Sequence, residues 1–403
     1  MGEGTLPGHF CLRQPINGTM LCIMRNLAAT VILVAGTIVL LAACSPSLRE
    51  EEFHIGIVVP LSGNLASFGP LSLQAAHLAV DEANDAGGIL KGKRHYHIVL
   101  VEKDGRSTPE MSLAAAQELI TRDRVAAIVS PGIAAAALPA SGLAERSGVP
   151  IILRIPTGPE VTRGARYKFR VTFDDESQGA SIARFLVQKL AVRRVAILYD
   201  STNLGNSAVV DAFQKHFTAA GGRLTSVQSY AYRQTDFRKQ LLLIKESAPE
   251  CLFLPNYSYD VLLQVEQARA LGMSASIFCS DIMSFASDSD LAKLEGAWMC
   301  AHFDPGGSTQ KAQHFIAAYR RKYGRPPNVS AALTFDACSL LIDAARVSGD
   351  MTPEEISAAL RTPHIFEGVT GSLKYRGGPD PEVDVLIMRI VQGVPTIQQG
   401  AAP

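Results

Sequence analysis

Short, wholly apolar runs alternate along most of this chain with longer stretches whose apolar positions recur every three or four residues. The run HIGIVV (54–59) has the length and β-branched content of a buried strand. It is followed by GPLSLQAAHLAVDEANDAGG (69–88), in which Leu73, Ala76, Ala79 and Val80 fall at helical spacing and Gly87-Gly88 supply a left-handed stop. The cycle then repeats. HIVLVEKD precedes a helix starting near Pro109, VAAIVSPG precedes a helix over 134–147, and VPIILRI runs on toward YKFRVTF. RVAILYD leads to a helix over 206–220, LTSVQSYAY to one over 236–247, and CLFLPN to one over 259–271 before SIFCSD. Strands that are apolar throughout and separated by helices predict parallel sheets covered on both faces. There are too many such units for one sheet, so the pattern predicts an α/β protein of two doubly wound lobes.

The first 43 residues break this pattern. Met24-Arg25-Asn26 is a short positive start, Leu27 to Leu41 are almost without polar residues, and the small pair Ala42-Ala43 precedes Cys44. That is the layout of a secretory signal peptide, and the apolar run of about 15 residues is shorter than the roughly 20 that span a bilayer. Leu-Ala-Ala-Cys resembles a bacterial lipobox, which implies cleavage before Cys44 and lipid attachment to it; a transmembrane anchor or a non-lipidated signal are the alternatives. Residues 1–23 read as a leader or over-extended start. Removing 43 of 403 residues leaves 360, too many for one ordinary core.

Lys plus Arg and Asp plus Glu balance at 38 each, with no basic run, so nothing points to nucleic acid. Cys251, Cys279, Cys300 and Cys338 lie in apolar segments without the close pairing of zinc sites. Buried free thiols are the expectation, with a bridge among Cys251, Cys279 and Cys300 the alternative. Gly87, Gly92 and Lys93 meet most of a phosphate-loop pattern, but Arg94 stands where Ser or Thr holds magnesium, and the stretch leaves a helix for a strand rather than the reverse. PLSGNLASFG lacks a dinucleotide fingerprint, His95 and His97 have no third ligand, and no nucleophile elbow is present. The expectation is therefore no catalytic residue, no metal and no cofactor.

What recurs instead is a strand running into a small, polar or aromatic loop just before a helix: PLSGNLASFG, SPGIAAAAL, RIPTGPEVT, YDSTNLGNS, PNYSYD and CSDIMS. In open α/β sheets ligands bind outside such strand ends. Taken in order, IGIVVPLSGNLASFG, LAVDEANDAGGI, RVAAIVSPG, SGVPII, VAILYDSTNLG, TDFRKQL, QARALGM, HFDPG, FDACSLLIDA and FEGVTGSLKY resemble the leucine/isoleucine/valine-binding type of periplasmic substrate-binding protein, the receptor subunit of ABC importers. The resemblance runs from about Phe53 to Ile390. It implies two α/β lobes joined by three crossovers, closing over a small ligand. The expected layout is a leader and signal at 1–43, a tether at 44–52, one lobe from 53–172 plus 303–364, the other from 173–302 plus 365–395, and a tail at 396–403. Hinges are expected near 171–174, 301–306 and 360–368.

By the same resemblance the ligand meets Ser62 and Phe68 in the first loop and Ile133 and Ala134 in the second, where amino-acid binders usually have hydroxyls. It meets Ile155 and Thr157 in the third. The second lobe adds Leu204, Tyr257 and Asp281, the last matching the acid that pairs with an α-ammonium group. Ligand contact is favoured for Thr157, Tyr257 and Asp281, the alternatives being a turn cap for Thr157 and a helix cap for Asp281. Arg154 is unusual at its strand end; a salt bridge to a neighbouring acid is favoured over a ligand carboxylate. The implied partners are a small amino-acid-like or amide ligand and a membrane permease, with the protein exported and lipid-anchored at the membrane surface. A sensor of the same fold is the alternative function, and an enzyme a distant third.

Overall fold

The computed structural model describes residues 1–2, 49–132 and 134–397. The expected signal sequence and lipid site at Cys44, the expected contact Ile133 and the last six residues lie outside them.

Two sheets organise the chain. The first contains β1 (Arg49–Val59), β2 (Ile89–Lys91), β3 (Arg94–Asp104), β4 (Ala127–Val129), β5 (Ile151–Leu153) and β6 (Lys168–Arg170), in the order β2-β3-β1-β4-β5-β6. β1, β4, β5 and β6 run parallel, with Ile55 opposite Ala127 and Ile128 opposite Ile151, whereas β2 and β3 form an antiparallel hairpin. The end of β1 and all of β4 and β5 are buried and apolar on both faces because helices cover both, whereas β3, near the edge, carries polar side chains. Helix Val329–Val347 is buried along most of its length and packs beside helix Gly69–Asp85. At the start of that second helix a Cβ on Gly69 would come within 2.1 Å of the Pro60 carbonyl, so only glycine lets the helix begin this close to the first loop.

The second sheet holds β7 (Arg194–Asp200), β8 (Arg223–Tyr230), β9 (Cys251–Leu254), β10 (Ser276–Cys279), β11 (Trp298–Ala301), β15 (Leu386–Val391) and β16 (Val394–Ile397), in the order β16-β15-β11-β10-β9-β7-β8. β7 to β11 are parallel, and β15 and β16 extend the edge antiparallel. Helices Leu204–Ala219, Arg238–Glu246 and Ser258–Ala270 fall within one or two residues of the periodic stretches in the sequence, and helix Asp175–Gln188, which the sequence reading did not anticipate, precedes them. Asp174 caps helix Asp175–Gln188 and Asn203 caps helix Leu204–Ala219, through backbone amides at 2.8 and 3.0 Å.

The chain passes between the sheets three times. Val171 packs in the first core and Phe173 in the second; Ala301 belongs to the second core and Phe303 to the first. The third passage differs from the expected one. A small antiparallel sheet, β12 (His364–Glu367), β13 (Ser372–Tyr375) and β14 (Pro381–Val383), buries Phe366, Leu373 and Tyr375 in the first core. Val383 touches both cores and Val385 lies in the second. The boundary expected after residue 364 therefore moves to about 383–385, because the apolar face of this small sheet is covered by the first lobe.

Cys251, Cys279, Cys300 and Cys338 are all buried and free, so no bridge joins the first three. Burial pushes the Cys251 and Cys338 thiols up to about 12 and raises those of Cys279 and Cys300 as well. Among the described residues no helix is long and apolar enough to cross a membrane, and no group of three or more metal-ligating side chains occurs.

Candidate ligand cleft

Every predicted contact within the described residues lies on a segment that follows the carboxyl end of a strand, where the chain must turn and helix N-termini leave backbone donors unpaired. In the first lobe Ser62 follows β1, but its hydroxyl donates to Asp104 at 2.6 Å and the Leu61 amide donates to the same carboxylate at 2.9 Å. These bonds hold Asp104 below the usual carboxylate range despite its burial. Ser62 is thus tied into the loop scaffold. Phe68 is half-buried at the start of helix Gly69–Asp85, and its carbonyl accepts from Ser72 at 3.2 Å. Ala134 opens helix Ala134–Ser147 and is exposed. Ile155 packs against the first core, and Thr157 is half-buried.

Two buried arginines bracket the Ile155–Thr157 segment. Arg170, on β6, donates to the Thr157 carbonyl, to the Gly158 carbonyl at 2.7 Å and to Thr162 at 3.2 Å. Its Nε lies 3.0 Å from Asp380, close enough for an ion pair though not aligned as a directed hydrogen bond. Arg154, directly after β5, is 1% exposed. Against the expected salt bridge, no acidic side chain among the described residues pairs with it. Carbonyl and hydroxyl oxygens take its hydrogen bonds instead.

The second lobe supplies an apolar rim and an acidic recess. Leu204, exposed at 82%, and Tyr257 stand at the first turns of helices Leu204–Ala219 and Ser258–Ala270, and Tyr257 stacks on Tyr259 with centroids 5.6 Å apart. Asn256 ties these two strand ends together, accepting from the Asp200 amide at 3.0 Å and from Asn206 at 3.2 Å while donating to the Leu198 carbonyl at 2.8 Å. Asp281 is buried, and it already has a partner. His302 Nε2 lies 2.8 Å from its carboxylate, His302 Nδ1 lies 2.6 Å from the Thr172 hydroxyl, and the imidazole stacks on Phe173 at 4.2 Å. Burial works to raise the Asp281 carboxyl, but the His302 hydrogen bond and charge outweigh it and hold the carboxyl below its ordinary range. Thr172 and His302 sit on the first two passages between lobes and help line a cavity of about 10 Å³, the space of a single water.

Sequence reasoning missed the groups beside this pair. Asp175 opens helix Asp175–Gln188, its amide donates to the Thr157 carbonyl at 3.2 Å, and it is 1% exposed. Neither of its carboxylate oxygens has a hydrogen-bond partner, nor do the buried amide atoms of Gln178 or the hydroxyl of Ser280. Burial pushes the Asp175 carboxyl up to about 7; the nearby Thr157 moderates the rise, Asp281 adds to it and Arg170 opposes it. Asp175 and Asp281 are close enough to sense each other's charge. They form a buried acidic cluster in which Gln178 and Ser280 also have unsatisfied polar atoms. The available signal was FDDESQG, three consecutive acids at a helix start.

Comparison with known proteins places this geometry. A family model described as a periplasmic binding protein matches residues 52–393. The leucine-, isoleucine-, valine-, threonine- and alanine-binding protein of Pseudomonas aeruginosa is 23% identical over 338 residues, covering 82% of this chain and 87% of the relative. Among solved structures, a branched-chain amino acid transporter substrate-binding protein of Streptococcus pneumoniae in complex with isoleucine is 28% identical with a TM-score of 0.73, covering 86% of this chain and 98% of that one. A leucine-binding protein of Thermotoga maritima is 26% identical with a TM-score of 0.74, over 86% and 97%.

Proposed function

The chain belongs to the periplasmic binding protein family, and on that premise we propose which solute it binds and how it is held. It is an extracytoplasmic solute-binding receptor of the ABC-transporter type and not an enzyme. Its ligand is a small amino-acid-like molecule or amide that presents a hydrogen-bond donor or ammonium group to Asp281 and Asp175. The apolar body lies against Phe68, Leu204 and Tyr257, and Ile155, Thr157 and the backbone around Ile133 and Ala134 hold the other end. Ser62 acts through its loop. The observation that carries this reading is the buried Asp175 carboxylate, which has no counter-ion and no well-aligned hydrogen bond, with only the Thr157 hydroxyl near it. Buried polar atoms left unsatisfied cost roughly 1 to 3 kcal/mol each, so a donor group reaching the Asp175 carboxylate or the Gln178 carbonyl oxygen gains from satisfying it. Closure brings the lobes together by dihedral changes at the passages near 171–174, 301–306 and 383–385. Lipid on Cys44 tethers the receptor beside its permease, with a leash that ends at residue 48 and not at 52 as expected, because β1 already begins at Arg49.

The test is a thermal-shift and calorimetry screen of the mature protein against branched-chain amino acids, their amides and aromatic acids. A true ligand at a hundred times its dissociation constant stabilises the protein by about 2.7 kcal/mol. Stabilisation only by compounds lacking any donor group overturns the assignment of the recess. For the anchor, intact mass of membrane-extracted protein should show a diacyl or triacyl addition on Cys44; an unmodified Cys44 rules it out.

A further inference from the structure

Charge in the acidic cluster is balanced at one carboxylate and not at the other. Asp281 has His302 Nε2 at 2.8 Å, and the imidazole is fixed in turn by Thr172. Asp175 is 1% exposed, and neither of its carboxylate oxygens makes a directed hydrogen bond. The cations around it are committed elsewhere. Arg170 is spent on the Thr157 and Gly158 carbonyls, the Thr162 hydroxyl and Asp380. Lys215 and His216 pair with Glu176, the next residue along the helix. Glu160 and Asp281 add negative potential. The amide that a helix start offers to an acid goes to Asp174, which accepts from Ser177 at 2.8 Å.

A carboxylate withdrawn from water without a cation takes up a proton rather than remain charged, and the helix N-terminus, which favours the anion, has the weaker influence. Burial accordingly pushes the Asp175 carboxyl up to about 7. A ligand ammonium at Asp281 changes that balance. In low-dielectric surroundings a new positive charge acts through space as well as by contact, and Asp175 already responds to the charge of Asp281. We propose that Asp175 is a specificity-determining residue, a neutral acid in the empty receptor that gives up its proton when a ligand ammonium enters, so that the site separates ammonium-bearing ligands from purely anionic ones according to pH. The proton passes from the carboxyl to water or buffer, and no other bond is made or broken. The inference rests on the receptor reading and adds proton release to it. Below about 7 an ammonium ligand must expel the proton, so its affinity falls as pH falls; above about 7 the proton is already gone and affinity is flat.

The experiment uses the mature protein and its D175N variant, titrated calorimetrically with L-leucine, L-isoleucine, L-valine and 4-methylpentanoate, which is leucine without its amino group. Each titration is run at pH 5.5, 6.5 and 7.5 in two buffers of different ionisation heat, and the difference in heat counts the protons released. The wild type should release about one proton per amino acid bound at pH 5.5 and a small fraction of one at pH 7.5, with affinity at least about tenfold higher at pH 7.5. Any binding of 4-methylpentanoate should release none. D175N should bind amino acids without proton release and with affinity that does not rise with pH; should it not fold, Asp175→Ser, which cannot titrate either, takes its place. Amino acids that bind the wild type without releasing a proton overturn the inference and leave the receptor reading standing. Release that survives in the variant gives the proton to another group and also overturns it. Binding of 4-methylpentanoate alone, or of none of the four compounds, removes the recess reading and this inference with it for this ligand class.

Discussion

Arg154 and Arg170 stand at the ends of neighbouring strands and are equally buried, Arg154 tying the ends of β4 and two helices together and Arg170 bracing the loop after β5. Arg170 has Asp380 beside it, and the Thr162 hydroxyl donates to the Asp380 carboxylate, lying 2.8 Å from both oxygens, while Tyr375 donates to the Arg170 carbonyl at 2.5 Å. Arg154 has only neutral oxygens. The acidic recess repeats the contrast, with Asp281 matched to His302 and Asp175 matched to nothing. A buried charge closed by its own counter-ion belongs to the scaffold. A buried charge left open is stable only if something outside the chain closes it.

The contrast is broken most easily at Asp175. Its folded-state carboxyl lies near 7 against an ordinary 3.8, so the folded protein holds the extra proton between those values. Stability without ligand should therefore fall as pH rises from about 4 to about 7 and be flat above. Asp175→Asn should remove that slope and stabilise the unliganded protein at pH 8 by on the order of 4 kcal/mol. Denaturant midpoints for both proteins from pH 4 to 8 decide it, and parallel profiles would mean the open acid is closed in solution. Arg170→Met should lose about 3 kcal/mol, somewhat less than a fully buried pair would because Asp380 is partly solvated. If urea titration shows R170M as stable as R154M, the distinction between the two arginines fails.

Smaller effects sharpen it. Asp281→Ala should weaken ligand binding at least tenfold, about 1.4 kcal/mol, with unchanged secondary structure by circular dichroism. Unaltered calorimetric affinity would leave Asp281 to the hinge alone. Below pH 4, protonation of Asp281 should release His302 and cost stability, since a lowered folded-state carboxyl loses its contribution as pH falls through it. The D281A variant should lack that acid limb.

Much of this was legible in the chain. The apolar runs and their helical partners gave both sheets and the strand-end loops, because buried parallel strands and amphipathic helices have different periods. The third passage was not legible: the strands of the 364–383 sheet are three or four residues long and alternate too briefly to reveal which core covers them. Nor was the recess. Asp174 and Asp175 are neighbours at a helix start, and sequence cannot say that the first caps the helix while the second turns inward. His302 reads as a loop residue after WMCA, and only the packing of two passages brings it to Thr172 and Asp281. Arg154 stood out because a cation is foreign to the end of a buried strand, but its lack of a counter-ion needed three dimensions.

The four buried thiols have a practical side. Only a thiolate reacts readily with maleimides or disulfide reagents, and burial raises all four well above neutral pH in places reagents do not reach. A soluble form starting after Cys44 can therefore carry two introduced surface cysteines, one on each lobe, with the natural thiols left in place. Dyes attached there would report the distance between lobes in single molecules as ligand is titrated in.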